Sequence, residues 1–256
     1  MICIFCDNKN EAKSIEHIVS ESFGNKIYVM ERGKVCDVCN SRFSNFEKTA
    51  LANTVFIMER ARFGVASKKG NTAKGKVGQY TIEGNKEFKR GYIKIDGLTE
   101  EDLDQFDPET GVGKLLIKSF DKSEVAASKL LLKTGLEAIY TSQRKIYEKY
   151  NFQDLKDFLS TANNKDWPFL TSDYEVVKYN SVPKFTIKYY LKIRRCDLKF
   201  YQYNDETLLF KFKYGSIPMV INLLNRNLNW IKEVTEADNK ARLFPEHYRS
   251  KILKKL

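Results

Sequence analysis

Four of the chain's five cysteines form two N-terminal pairs of equal spacing, Cys3-x2-Cys6 and Cys36-x2-Cys39. A two-residue spacer lets both thiolates of a turn converge on one ion, so the set suits a tetrahedral structural Zn²⁺. Four buried or redox-active thiols are the competing reading, and the repeated spacing speaks against it. Cys196 lies in the alternating run Lys-Ile-Arg-Arg-Cys-Asp-Leu-Lys and reads as a packed thiol. There are two histidines. His247, near the basic C-terminus, reads as a surface or packing residue. His17 sits between the cysteine pairs, beside Glu16, within Ser14-Ile-Glu-His-Ile-Val-Ser-Glu-Ser-Phe-Gly24. An imidazole is the side chain whose unperturbed pKa suits proton abstraction near neutrality. Ile15 and Ile18 flank the step and are expected to anchor it while Glu16 and His17 project.

The full order of elements is Cys-x2-Cys, then Glu-His-Ile-Val-x-x-Ser-Phe-Gly, then Val-Cys-x-x-Cys-Asn, then a helix carrying Glu47. This pattern resembles the HNH endonucleases, and more narrowly their zinc-knuckle subgroup. The resemblance covers residues 1 to about 51, with a looser likeness through Arg60–Gly70. It implies a ββα-metal fold, a β-hairpin followed by a helix. It implies His17 as general base, Glu16 and Asn40 as ligands of a catalytic divalent cation, and Cys3, Cys6, Cys36 and Cys39 around structural zinc. Glu47, two helical turns beyond Asn40, is a further metal or supporting residue. Many family members carry an Asn about eight residues before the third cysteine. Here Tyr28 stands at that place, with Asn25 a little earlier.

Phosphodiester hydrolysis needs a base for water, a Lewis acid for the departing oxygen, and cancellation of phosphate charge. Oxygen ligands favour Mg²⁺ or Mn²⁺ over zinc at the second metal. The reading is a nuclease acting on DNA in preference to RNA; the resemblance implies 5′-phosphate and 3′-hydroxyl ends and a phage-defence or mobile-element setting. Two others stay open: a noncatalytic zinc module binding nucleic acid or protein, and a nuclease effector gated by a protein partner at residues 121–256.

Composition constrains what carries this chemistry. Of 256 residues, 42% are hydrophobic and 13% aromatic. That is enough for a core without disulfides. The longest charge-free stretch, Tyr214–Asn225, is too short and too interrupted to span a bilayer. The N-terminus has no basic region followed by a long apolar one, so no secretory leader and a cytoplasmic location are expected. Lys and Arg outnumber Asp and Glu by 44 to 33, giving +11. An excess of this size suggests an anionic partner. Residues 1–48 balance to zero, so the excess lies beyond them. Residues 68–94 carry +6. There Lys68, Lys69, Lys74, Lys76, Lys89 and Arg90 are candidate phosphate contacts on a hairpin of Tyr80–Ile82 and Phe88–Ile95. Asp96–Glu109, with seven acidic residues and no basic one, reads as solvated helix and loop. Gly111-Val-Gly-Lys114 is not a phosphate loop, because Pro108 and Leu115 occupy positions needing Gly and Ser or Thr.

Apolar spacing predicts one helix over 40–62, presenting Asn40 in its first turn, and another from Asp121 or Ser123, with Glu124 in a capping box, to about Lys149. A shorter helix covers about 152–161. Residues 184–214 alternate as sheet, one face in a core and a basic, tyrosine-containing face outward; Ile217–Trp230 packs on it. The fold class is α+β: an HNH zinc module over 1–62, a basic hairpin and acidic connector over 63–120, and a C-terminal α+β domain over 121–256 that grips substrate or binds a partner.

Overall fold

The computed structural model describes residues 1–9, 11–67, 69–87, 90–161, 165–172, 180–181, 196–232 and 240–249. Helices α1 (Asp37–Leu51) and α2 (Thr54–Arg62) come first, then strands β1 (Lys74–Val77), β2 (Tyr80–Gly84), β3 (Ile93–Asp96), β4 (Asp104–Asp107) and β5 (Val112–Lys114). Next are helices α3 (Glu124–Ser142), α4 (Arg144–Lys149) and α5 (Gln153–Ser160). Strands β6 (Phe169–Thr171), β7 (Asn180–Ser181), β8 (Cys196–Asn204), β9 (Thr207–Tyr214), β10 (Ile217–Asn222) and β11 (Arg242–Phe244) complete the order. The fold is α+β with antiparallel sheets. Among the described residues, no helix is long and apolar enough to cross a membrane.

The chain forms two compact units that interleave in sequence. One unites residues 1–21, 25–48 and 124 onward; the other holds 22–24 and 49–123.

In the second unit the expected helix over 40–62 is broken at Asn53. The buried Asn53 amide donates to Ala50 O and Ser123 O, and its oxygen accepts from Lys122 N and Ser123 N. An Asn side chain that binds backbone competes with the helical ladder. Here the competitor is 70 residues away. Asp121 does not cap α3. It accepts from Thr54 N and Thr54 Oγ1, both at 2.8 Å, in the manner of a cap supplied to the start of α2. The basic hairpin is a three-stranded sheet, β1-β2-β3, whose Val77 and Ile82 pack with Ile57 and Ala61 of α2. Gly75 permits this approach, since a Cβ there would lie 2.4 Å from Ile57 Cδ1. The acidic stretch is not a helix and loop beyond a single 3₁₀ turn at Glu100–Asp102; β4 pairs with β5 across Gly111, which takes a positive φ.

The first unit is built on a six-stranded sheet of order β11-β6-β10-β9-β8-β7. Ile217–Asn222, expected to pack on this sheet, is one of its strands. A short apolar run reads equally as strand or packed segment. Little of the outward basic, tyrosine-bearing face is seen in β8 and β9: Tyr201, Tyr214 and even Lys211 are buried, Lys199 and Lys213 are partly exposed, and Tyr203 is exposed near the end of β8. Both faces are covered. Leu170, Tyr201, Leu209, Val220, Trp230 and Ile231 form a core on one side. On the other lies α3, where Gly135 allows contact: a Cβ would sit 2.7 Å from Leu223 and 2.8 Å from Phe210. The alternating run at 184–195 lies outside the described residues, as do Lys251, Lys254 and Lys255 of the basic tail. Helix α3 stops at Ser142 rather than Lys149. Ser142 Oγ turns back to Ala138 O, and Gln143 leaves helical geometry before α4. Such back-bonding weakens a helix locally.

Candidate functional site

The four N-terminal sulfurs lie within 4.8 Å of one another. Two tight turns deliver them. The first closes through Asp7 N to Cys3 O, with Asp7 at a positive φ, and Cys3 N to Asn8 O. The second runs straight into α1, so Cys36 precedes the helix and Cys39 sits in its first turn. Ile4 N to Lys34 O ties the turns together. Backbone amides point at sulfur: Cys36 N to Cys3 Sγ and Cys39 N to Cys36 Sγ, each 3.4 Å. Charge is contested within the cluster. The Cys39 thiol's hydrogen bond draws the Cys3 pKa down to about 4, and the same contact pushes Cys39 up. The donor set fits a structural zinc ion, which binds all four as thiolates and ends that competition. Cys3, Cys36 and Cys39 are buried and Cys6 is partly exposed.

The ββα hairpin is reduced to an antiparallel bridge, His17 opposite Val29, with Met30 N donating to Glu16 O at 2.8 Å. Asn25 organises the loop between these strands. It is 1% exposed. Its Nδ2 donates to Val19 O and Tyr28 O, and its Oδ1 accepts from Ile27 N and Tyr28 N. The displaced asparagine therefore closes the loop from an earlier position in the chain, and Tyr28 is buried behind it.

The anchoring expected of the isoleucines is half reversed. Ile18 is buried, but Ile15 is exposed, and Glu16 is buried while His17 is only partly so. Glu16 reaches a partner that sequence reasoning missed, Lys133 of α3. The Lys133 ammonium is bonded to Glu16, lies 2.8 Å from Glu47 Oε1 and 3.3 Å from Glu137 Oε2, and reaches His17 O at 3.4 Å. Burial opposes its charge, but Glu137, Glu47 and Glu16 hold its pKa well above the ordinary lysine value. Burial raises Glu16 and drives Glu137, wholly enclosed, well above the usual carboxylate range. The signal in sequence was a Lys133–Glu137 pair at i,i+4 on the face of α3 that carries buried Ala126 and Leu130. A charged pair on the apolar stripe of a helix faces inward.

Asn40 belongs to a different set. Its Nδ2 donates to Ser14 Oγ at 3.0 Å. Ser14 in turn donates by hydroxyl and backbone amide to Asp37, which also accepts from Lys13 N. These bonds, the Ser14 hydroxyl first, hold Asp37 down to about 2. The structure thus joins Glu16 and Glu47 at Lys133 and places Asn40 with Ser14. Among the described residues, no second group of three His, Cys, Asp or Glu side chains gathers at metal-binding distance. Glu16 and Glu47 in this arrangement do not fit a shared catalytic cation.

In the other unit Lys69, Lys74, Lys76 and Arg90 are exposed, and Lys68 and Lys89 lie outside the described residues. Arg60, Lys74, Lys86 and Glu83 line a cleft of about 580 Å³.

Glu137 supplies a pH test. A buried carboxyl whose folded pKa exceeds its unfolded value, roughly 4.3, contributes stability that is complete below that value. The contribution is lost as pH rises through the folded pKa. Glu137→Gln removes this dependence. The variant should melt roughly 3–6 °C above the parent at pH 8 and within about 2 °C of it at pH 5. Equal differences in thermal melts at both pH values would show that Glu137 is not the group that keeps its proton.

Residues 3–55 match the family model of the HNH endonucleases, the segment that holds the cysteine cluster, the Glu16-His17 step and Asn40. No curated protein and no solved structure matches the chain.

Proposed function

We propose that this protein is a divalent-cation-dependent endonuclease that hydrolyses DNA phosphodiester bonds, with His17 as the base that takes the proton from the attacking water. The carrying observation is the two-sided mounting of the Glu16-His17 step, bridged to Val29–Met30 on one side and bonded to Lys133 on the other, inside a segment that matches HNH endonucleases. A fixed backbone leaves the partly exposed imidazole free to meet water while setting its position. Mg²⁺ or Mn²⁺, when bound, supplies the Lewis acid at the departing oxygen. Asn40 can offer its amide oxygen to such a cation while Ser14 holds the amide nitrogen. Lys69, Lys74, Lys76 and Arg90 neutralise backbone phosphates, giving binding without sequence preference that weakens with salt. From the family resemblance we infer a phage-defence or mobile-element context.

Supercoiled-plasmid nicking with Mg²⁺ or Mn²⁺ tests this, run beside a zinc-replete His17→Ala variant. The variant should be about 10²- to 10⁴-fold slower, the usual contribution of a positioned base. Nicking that survives the substitution removes His17 from the mechanism. Binding of DNA without nicking by the wild type, in either cation, favours a noncatalytic zinc module or a nuclease awaiting a protein activator.

A further inference from the structure

We infer that Lys133 is a positioning residue of this nuclease site, and that Glu16 acts through Lys133 to fix the His17 backbone instead of ligating the catalytic cation. This rests on the reading of His17 as the base. The geometry carries it. The side chain of Glu16 is 8% exposed and that of Lys133 is 1% exposed, so a hydrated cation has no open path to the Glu16 carboxylate. A Lys ammonium is a compact charge with three donors. Here the ammonium donates to Glu16 and to the His17 carbonyl, and the carboxyl groups of Glu47 on α1 and Glu137 on α3 lie beside it at 2.8 and 3.3 Å. The neighbouring backbone is held from the opposite side by Met30 N on Glu16 O. A clamp on both sides of a two-residue step determines where the imidazole stands. Nothing in that clamp requires a metal.

The arrangement also explains why a glutamate precedes the histidine. Its longer side chain reaches inward to an ammonium displayed by α3, so the module's chemistry depends on a helix 117 residues further along the chain. An error of about 1 Å in the placement of a reacting group costs on the order of 10²-fold in rate.

The test uses the full chain. Wild type, Lys133→Met and Glu16→Gln are compared for zinc content, for nicking across a Mn²⁺ titration, and by NMR of the two histidine rings. The second histidine, His247, is an internal reference. Lys133→Met keeps the length of the side chain and removes the charge. It should retain zinc, shift or broaden the His17 ring signals but not those of His247, and lower the nicking rate about 100-fold at saturating Mn²⁺. Glu16→Gln should move the His17 signals and slow nicking with the half-saturating Mn²⁺ concentration unchanged within about threefold. A roughly tenfold or larger rise in that concentration overturns the inference and returns Glu16 to the metal. Unchanged His17 signals in both variants overturn it as well. Should Lys133→Met fail to fold, Glu16→Gln decides alone. If the wild type does not nick but the variants still move the His17 signals, the clamp stands and the nuclease reading fails.

Discussion

Stripping the zinc ligands should unfold the N-terminal module. Cys39→Ser, or exhaustive chelation, is expected to give a chain without metal that loses the packing of residues 1–48 in a single step. Structural zinc contributes about 10–16 kcal/mol in small metal-folded domains. A domain's net stability is only about 5–15 kcal/mol. Residues 1–36 have little regular structure of their own: among the described residues it is two isolated bridges and a 3₁₀ turn, Glu21–Phe23, beside the side-chain contacts of Ser14, Glu16 and Asn25. Phe5 against Phe43 is their main ring contact with α1. Within the cluster the effects should be graded. Cys39 and Cys36 are tied to the helix start, whereas Cys6 lies at the exposed edge, so Cys6→Ser should be mildest and chelators should enter from that side. Metal analysis with near-ultraviolet circular dichroism checks this. Purified protein that holds no zinc, or a Cys39→Ser variant with an unchanged melt, would defeat it.

Asn25→Ala should cost about 3–5 kcal/mol, from four lost hydrogen bonds and buried backbone groups left without partners. The loop it closes lies between the Glu16-His17 step and Val29–Met30, so its collapse releases one side of the step. Asn25→Asp separates size from chemistry. The acid keeps acceptors for Ile27 N and Tyr28 N but has no donors for Val19 O and Tyr28 O, and it buries a charge. It should be about as destabilising as alanine, and both should slow nicking alongside the loss in melting temperature. A loss below about 1 kcal/mol for either in denaturant titration, no more than one ordinary hydrogen bond, would show that other groups close the loop.

The cysteine cluster and the Glu16-His17 step were legible in the sequence because both are written in short-range spacing. Two Cys-x2-Cys pairs and one Glu-His step need no knowledge of distant chain. The partner of Glu16 was not legible, since it is a lysine 117 residues away, and an inward-facing Lys133–Glu137 pair does not say which distant residue it meets. The break between α1 and α2 was hidden for the same reason: Asn53 looks like a helix residue until Lys122 and Ser123 arrive to bind it. Strands β9 and β10 lost their alternation because both faces are covered, which erases the period-two signal. Asn25 shows the converse. Its residue type was the informative part, and its offset from the family position did not change what an Asn does in a closed loop.

The interleaving of the first unit has a consequence for synthesis. Residue 48 leaves the ribosome long before residue 124, and the Glu16–Lys133 contact closes a loop of 117 residues. At roughly 5–20 residues per second, about 6–23 s separate the emergence of its two ends. During that interval a nascent chain can bind zinc, but His17 lacks its support from α3. The finished surroundings of His17 are thus a late product of translation, and a chain truncated before α3 would carry the motif without the Lys133 contact.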